Sequence, residues 1–142
     1  MLGRRAFIVA ALLLAASGCA GGLGAGGGVN ALAPIEPGKG RVFIYRNSAM
    51  GATYTPEVLL NGASVGRPRT RGVYVRDIPP GSYAVTTSMT PVVANFSVGA
   101  GEKKYVRLTA GFFESHMHPE LVDPARGEAE VSGLEVLGQP GK

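Results

Sequence analysis

The sequence predicts a mainly β domain, an antiparallel β-sandwich of about seven short strands followed by a short C-terminal helix. Three observations carry this prediction. From Arg41 onward, runs of β-branched and aromatic residues recur at short, regular spacing, as expected of strands that each bury one face. Turn chemistry separates the runs: the chain holds 22 glycines and 10 prolines, with Asn61-Gly62 and Pro79-Pro80-Gly81 between apolar segments. Cys19 is the only cysteine among 142 residues, so no internal disulfide is available, and a chain of this length supports one core without that help.

The elements follow in order. Arg41 to Arg46 is continuously apolar between charged ends, which suits a strand covered on both faces. Asn47 to Pro56 is a loop with Met50 and Tyr54 outward. Glu57 to Leu60 and Ser64 to Gly66 flank Asn61-Gly62, the strongest hairpin signal in the chain. Gly72 to Ile78 meets Pro79-Pro80-Gly81, where Pro80 and Gly81 suit the two central positions of a type II turn. Ser82 to Met89 alternates, with Tyr83, Val85 and Thr87 on one face and Ser82, Ala84 and Thr86 on the other. Val92 to Val98 puts Val92, Ala94, Phe96 and Val98 on one side, Lys103 to Phe113 puts Val106, Leu108 and Ala110 on one face, and the two are expected to pair antiparallel across Gly99-Ala100-Gly101-Glu102. Ser115 to Val122 is a last strand, confined to a sheet edge by Pro119. Arg126 to Leu137 is a short helix with Ala129, Leu134 and Leu137 inward and Gly133 weakening it.

The N-terminal part has another composition. Met1 to Arg5 is basic, Ala6 to Ala15 is an apolar run, and Ala16-Ser17-Gly18 are small. The run is too short to span a bilayer and fits a signal peptide. Leu14-Ala15-Ala16-Ser17-Gly18-Cys19 resembles the bacterial lipoprotein signal, with Ala16 where leucine is commoner. The resemblance implies cleavage between Gly18 and Cys19, a diacylglyceryl thioether on Cys19 and acylation of its amine. More than one acyl chain matters, because a single chain anchors only marginally, at ~0.8 kcal/mol per buried methylene. Ala20 rather than aspartate after the cysteine resembles lipoproteins passed to the outer membrane, which implies its periplasmic face. The alternative is ordinary signal cleavage beside a spare cysteine. Arg4-Arg5 also resembles a twin-arginine signal, although two arginines equally make an ordinary basic n-region, and the export route stays open.

The domain organisation is therefore a signal peptide over 1–18, a lipidated cysteine and Gly/Ala/Pro-rich flexible tether over 19–40, a sandwich over 41–138 and a disordered tail over 139–142. The tether is expected to reach roughly 25 Å. Gly22, Gly24 and Gly27 match G-x-G-x-x-G, but no strand precedes them and no helix follows, which excludes a dinucleotide fingerprint. Without Arg4 and Arg5 the charge is 12 − 10 = +2, too small to suggest a nucleic-acid partner.

The order of the strand and turn signals also resembles a family. Arg41-Val42-Phe43-Ile44-Tyr45-Arg46, then Val58-Leu59-Leu60-Asn61-Gly62 with Val65-Gly66, then Asp77-Ile78-Pro79-Pro80-Gly81-Ser82-Tyr83 and Lys104-Tyr105-Val106-Arg107 resemble the domain of unknown function 2846 family of bacterial envelope proteins. The resemblance implies an Ig-like or carboxypeptidase-regulatory-like sandwich with no established activity and no functional residues to carry over.

Four patterns invite chemistry. Gly62-Ala63-Ser64-Val65-Gly66 matches the G-x-S-x-G nucleophile elbow, but the elbow needs a strand before the serine and a helix after it, and a hairpin is the better reading here. Glu114, His116, His118 and Glu120 alternate, so in one extended strand all four point the same way and offer imidazole and carboxylate ligands to zinc, copper or nickel; the plain alternative is a solvated edge strand. Arg67, Arg69 and Arg71 form a basic stripe suited to anionic lipid headgroups, lipopolysaccharide phosphates or an acidic partner, or else an ordinary soluble loop. Asn95-Phe96-Ser97 fits a glycosylation sequon, but Phe96 reads as core.

The expected function is that of a lipid-anchored envelope protein displaying a non-catalytic binding or accessory module. Its partners are the membrane, through Cys19, and an envelope protein or cell-wall component, with no cofactor beyond the covalent lipid. The alternative is a small-ligand or metal-binding periplasmic domain using Glu114, His116, His118 and Glu120.

Overall fold

The structure is a computed structural model that describes residues 28–51, 53–110 and 116–138. The signal segment, Cys19, the chain through residue 27, Glu114 and the tail over 139–142 lie outside the described residues.

Among the described residues, nine strands and one α-helix follow one another: β1 (Gly40–Arg46), β2 (Val58–Leu60), β3 (Ala63–Gly66), β4 (Gly72–Ile78), β5 (Gly81–Thr87), β6 (Thr90–Val98), β7 (Lys103–Thr109), β8 (His118–Val122), α1 (Pro124–Val131) and β9 (Glu135–Gly138). They form two sheets, one ordered β8-β7-β1-β4-β9 and the other β3-β2-β5-β6. Between the sheets lies a core that includes Val42, Ile44, Val58, Val85, Phe96, Val106 and Leu108. The expected sandwich is present, with a further layer. Phe43, Tyr45, Val73, Val75 and Tyr105 point out of the opposite face of the five-stranded sheet and are covered by Val131 and Leu134 from the C-terminal segment, with Val29 and Leu32 packed alongside.

This double coverage explains β1. All seven of its residues are buried, because even positions enter the inter-sheet core and odd positions enter the second one. A strand so placed must be apolar between its ends, as Val42-Phe43-Ile44-Tyr45 is, while at the ends the buried Arg41 pairs with Asp77 and Arg46 donates to the Tyr54 carbonyl. Asn61 and Gly62 both have positive φ, 48° and 81°, which is the type I′ requirement for the tight β2–β3 hairpin. Tyr83 and Phe96 stack across β5 and β6 at 5.7 Å, and the Tyr83 hydroxyl donates to the Pro79 carbonyl at 2.6 Å, tying the strand to the corner before it.

Pro79-Pro80-Gly81 carries the chain from one sheet to the other, since β4 and β5 belong to different sheets. Several expectations are corrected. The turn after β6 is likewise a crossing: β6 pairs with β5, and β7 pairs parallel with β1 and antiparallel with β8. The chain returns from the far sheet at the end where β1 began, so β7 runs in the same direction as β1. The five-stranded sheet is thus mixed, with β4 and β9 also parallel. The predicted helix over Arg126 to Leu137 is shorter and starts earlier, at Pro124. The Asp123 side chain accepts from the Ala125 and Arg126 N–H groups, a cap placed immediately before a proline. Ala129 is exposed and Leu137 half-buried, whereas Gly127 and Val131 are the buried helical residues. The end of the predicted helix is instead a ninth strand.

One end of the sandwich gathers pieces from distant parts of the chain. Arg46 closes β1 opposite Gly72, which opens β4 and pairs with Glu135 of β9. Gly28 bridges to Glu135 at the same place. The buried Arg46 donates to the Tyr54 carbonyl at 2.7 Å and the Met50 carbonyl at 3.3 Å, holding the β1–β2 loop over this end. Thr87 donates to the Met117 carbonyl at 3.0 Å, closing the two sheets at the β8 side.

Candidate functional site

The segment expected to be free tether through Gly40 is, from Gly28, a strap across the outer face of the five-stranded sheet. Val29–Ala31 forms one 3-10 turn. Val29 and Leu32 pack against the second core, and Ile35 continues the same spacing of three. Arg41 fastens the far end of the strap. Its guanidinium donates to both carboxylate oxygens of Asp77, at 2.6 Å from Nε and 2.9 Å from Nη2, and to the carbonyls of Ala33 at 2.8 Å and Pro34 at 3.4 Å. Both side chains of the ion pair are only 5% exposed. Burial pushes the Asp77 carboxyl upward, but the hydrogen bonds from Arg41 and the Glu36 N–H, with the charges of Arg41 and Lys39, prevail and hold it below the ordinary carboxylate value.

Between the strap and α1 lies a groove of about 440 Å³. Its floor is the Phe43–Tyr105 pair, stacked at 4.9 Å with planes 6° apart. Asn30, Lys103, Glu128 and Ser132 supply polar groups around this aromatic floor. Tyr105 is 2% exposed, and its hydroxyl is carried by the ring that floors the groove. Burial, and then the nearby Glu128 charge, push that hydroxyl above its ordinary value, so it is a neutral donor. An apolar floor with a few polar groups at its rim is the usual form of a small-ligand site.

Beyond the groove, α1 is locked to the sheet by a charged network. Glu130 accepts from the Tyr45 hydroxyl at 2.5 Å, from Arg107 at 2.8 Å and from Arg126 at 2.9 Å, while Arg107 also donates to Glu120 at 2.9 Å. Burial raises the Glu130 carboxyl, but the Tyr45 and Arg126 hydrogen bonds and the arginine charges win and lower it overall. Burial and then Glu130 raise the Tyr45 hydroxyl far above its ordinary value. This network is structural: its members fix the helix that walls the groove.

The residues singled out from sequence are dispersed. Ser64 lies on the β2–β3 hairpin and donates to Glu57 at 2.7 Å, with no helix after it, so the elbow geometry is absent. Of the alternating Glu114, His116, His118 and Glu120, only His118 and Glu120 lie in β8, and His116 is in the bend before it. Glu120 is held by Arg107, while His116 and His118 line a separate shallow site with Met89 to Val92. Among the described residues, no three His, Cys, Asp or Glu side chains converge as a metal site would require. Arg67, Arg69 and Arg71 are all exposed. Arg67 donates to the Thr55 carbonyl, Arg69 pairs with Glu135 and Arg71 donates to the Gly133 carbonyl. Cys19 and Gly18 lie outside the described residues. The groove residues Tyr105, Lys103 and Glu128 were not singled out from sequence; the signal that pointed to them is Val29, Leu32 and Ile35 recurring every third residue within a glycine-rich stretch.

A family model described as a protein of unknown function, DUF2846, matches residues 36–124. No curated protein and no solved structure matches the chain.

Proposed function

The chain belongs to the DUF2846 family, and from that premise we propose that it is a lipid-anchored bacterial envelope protein presenting a non-catalytic binding module whose ligand site is the groove beneath the strap. The observation that carries this reading is the strap itself. Cys19, in its lipoprotein-like setting, precedes Gly28 by only 28 − 19 = 9 peptide links, and at Gly28 the chain is already joined to the sheet. The anchor and the groove are thus connected through one segment: the strap that leads from Cys19 also forms a wall of the site. The groove has the aromatic floor and polar rim of a binding site, and the one nucleophile motif in the sequence sits on an open hairpin.

The test has two parts. Wild-type chain and Cys19→Ala are expressed in the source bacterium and fractionated. The wild type is expected in the membrane with the mass of a diacylated, N-acylated cysteine, and the variant in the soluble envelope fraction; a variant still wholly in the membrane sinks the anchor. For the groove, native mass spectrometry of chain taken gently from envelopes is expected to show a bound small molecule that is lost in Tyr105→Phe. Identical spectra from both chains remove the groove as the binding site.

A further inference from the structure

The strap fixes which part of the domain meets the membrane. Gly28 bridges Glu135, Glu135 pairs with Arg69 at 2.5 Å, and the Glu135 N–H donates to the Arg71 carbonyl at 2.9 Å. The arginine loop therefore stands beside the point at which the chain leaves for Cys19. Nine links extend at most about 30 Å at 3.3–3.6 Å per residue. A bilayer holding Cys19 therefore lies within reach of this end and cannot be far from it.

The composition of the same end matches such a neighbour. Arg67, Arg69 and Arg71 gather there with the carboxylates of Glu135, which pairs with Arg69, and of Glu57, which accepts from Ser64. The Arg71 N–H donates to the Arg46 carbonyl at 2.8 Å, and Arg46 in turn holds Met50, so the surface continues from the arginines onto the β1–β2 loop. Met50 is 42% exposed. Cations beside a protruding apolar side chain are the combination that headgroup phosphates and the acyl boundary accept together.

We propose that this end of the sandwich, through Arg67, Arg69 and Arg71 with Met50 beside them, docks on the anionic phospholipid surface to which Cys19 is anchored. Docking orients the domain, with the Arg41–Asp77 end of the strap groove directed away from the bilayer. The proposal rests on the anchored reading above, and its test separates the two.

The unlipidated mature chain, residues 19–142 with Cys19→Ser, is sedimented with vesicles of phosphatidylcholine alone or mixed with phosphatidylglycerol. Each net cation near such a surface is worth about five-fold in partitioning. Binding is expected only to the phosphatidylglycerol vesicles and is expected to vanish at high salt. The Arg67→Gln/Arg69→Gln/Arg71→Gln variant should bind about 100-fold more weakly. Glu135→Gln, which removes the carboxylate paired with Arg69, should bind about five-fold more tightly, a gain that misfolding does not produce. Arg126→Gln, an equal change of charge at the β8 side of α1, should leave binding within about two-fold. Equal binding to both vesicle types, an unchanged triple variant, or a loss with Arg126→Gln as large as that of the triple variant overturns the proposal. Absence of binding by a chain whose Cys19 is lipidated in cells overturns the docking face and leaves the anchor standing. Arginine-dependent binding by a chain that carries no lipid in cells keeps the face and overturns the anchor.

Discussion

Gly127 decides how closely α1 approaches the sheet, and Gly127→Ala sets two physical effects against each other. A Cβ at this position would stand 2.3 Å from Tyr105 Cγ, 2.4 Å from its Cβ and 2.8 Å from its Cδ1. Those atoms are the root of the tyrosine on a central strand pair, and no rotation of the ring removes them. Helix propensity favours alanine by about 1 kcal/mol. Overpacking opposes it by about 1–3 kcal/mol, and three contacts under 3.0 Å place this site at the top of that range. The net expectation is a loss of about 2 kcal/mol, or roughly 8–10 °C in Tm for a domain of this size. Gly133→Ala is the comparison: its nearest neighbour is Arg71 Nη2 at 3.9 Å, and the change should stay within about 0.5 kcal/mol. Urea and thermal unfolding of the three proteins measure both values. A Gly127→Ala protein as stable as wild type would mean that α1 does not rest on Tyr105, and the groove wall would have to be redrawn.

Asp77→Ala leaves a buried guanidinium without its carboxylate and should cost about 3 kcal/mol, with faster tryptic cleavage at Lys39 as the strap loosens. Because the Asp77 carboxyl titrates below its ordinary value when folded, its contribution is complete above the unfolded value near pH 4 and is lost as pH falls through the folded one. Strap cleavage by an acid-active protease should therefore rise only in acid, and Asp77→Asn should abolish that rise. Tyr45→Phe removes one donor from the Glu130 carboxylate and should lower stability by about 1.5–2 kcal/mol in urea melts, whereas a change below ~0.5 would place Glu130 outside the network. Ser64→Ala, on an exposed hairpin, should alter stability by less than about 0.5 kcal/mol and leave ligand binding unchanged; loss of a measurable function with that variant would restore the nucleophile reading.

The local chemistry of the strands was legible, and their partnership was not, for a definite reason. Alternation along Ser82 to Met89 and Val92 to Val98 reveals which side of a strand is apolar, and the Asn61-Gly62 dipeptide dictates a two-residue turn, because these depend on neighbours in sequence. Which sheet a strand joins depends on neighbours in space. A four-residue glycine-rich turn after Val98 therefore reads as a hairpin although it crosses between sheets, and the parallel pairing of β1 with β7 has no local mark. Glu135–Gly138 reads as the end of a helix because a four-residue strand spans only two alternations, too few to stand out beside a helical pattern that precedes it without a break. The groove was hidden for a different reason: in Gly28 to Gly40 the composition argues for disorder, and the three large apolar residues Val29, Leu32 and Ile35 outweigh it only where a sheet face waits to receive them. The apolar character of β1 is the trace of that face. A strand that is buried on both sides requires two covers, one sandwich sheet supplies a single cover, and the helix and strap are the material the chain has left to supply the other. The continuous run Val42-Phe43-Ile44-Tyr45 thus implies the third layer, and with it the groove, more directly than any residue lining it.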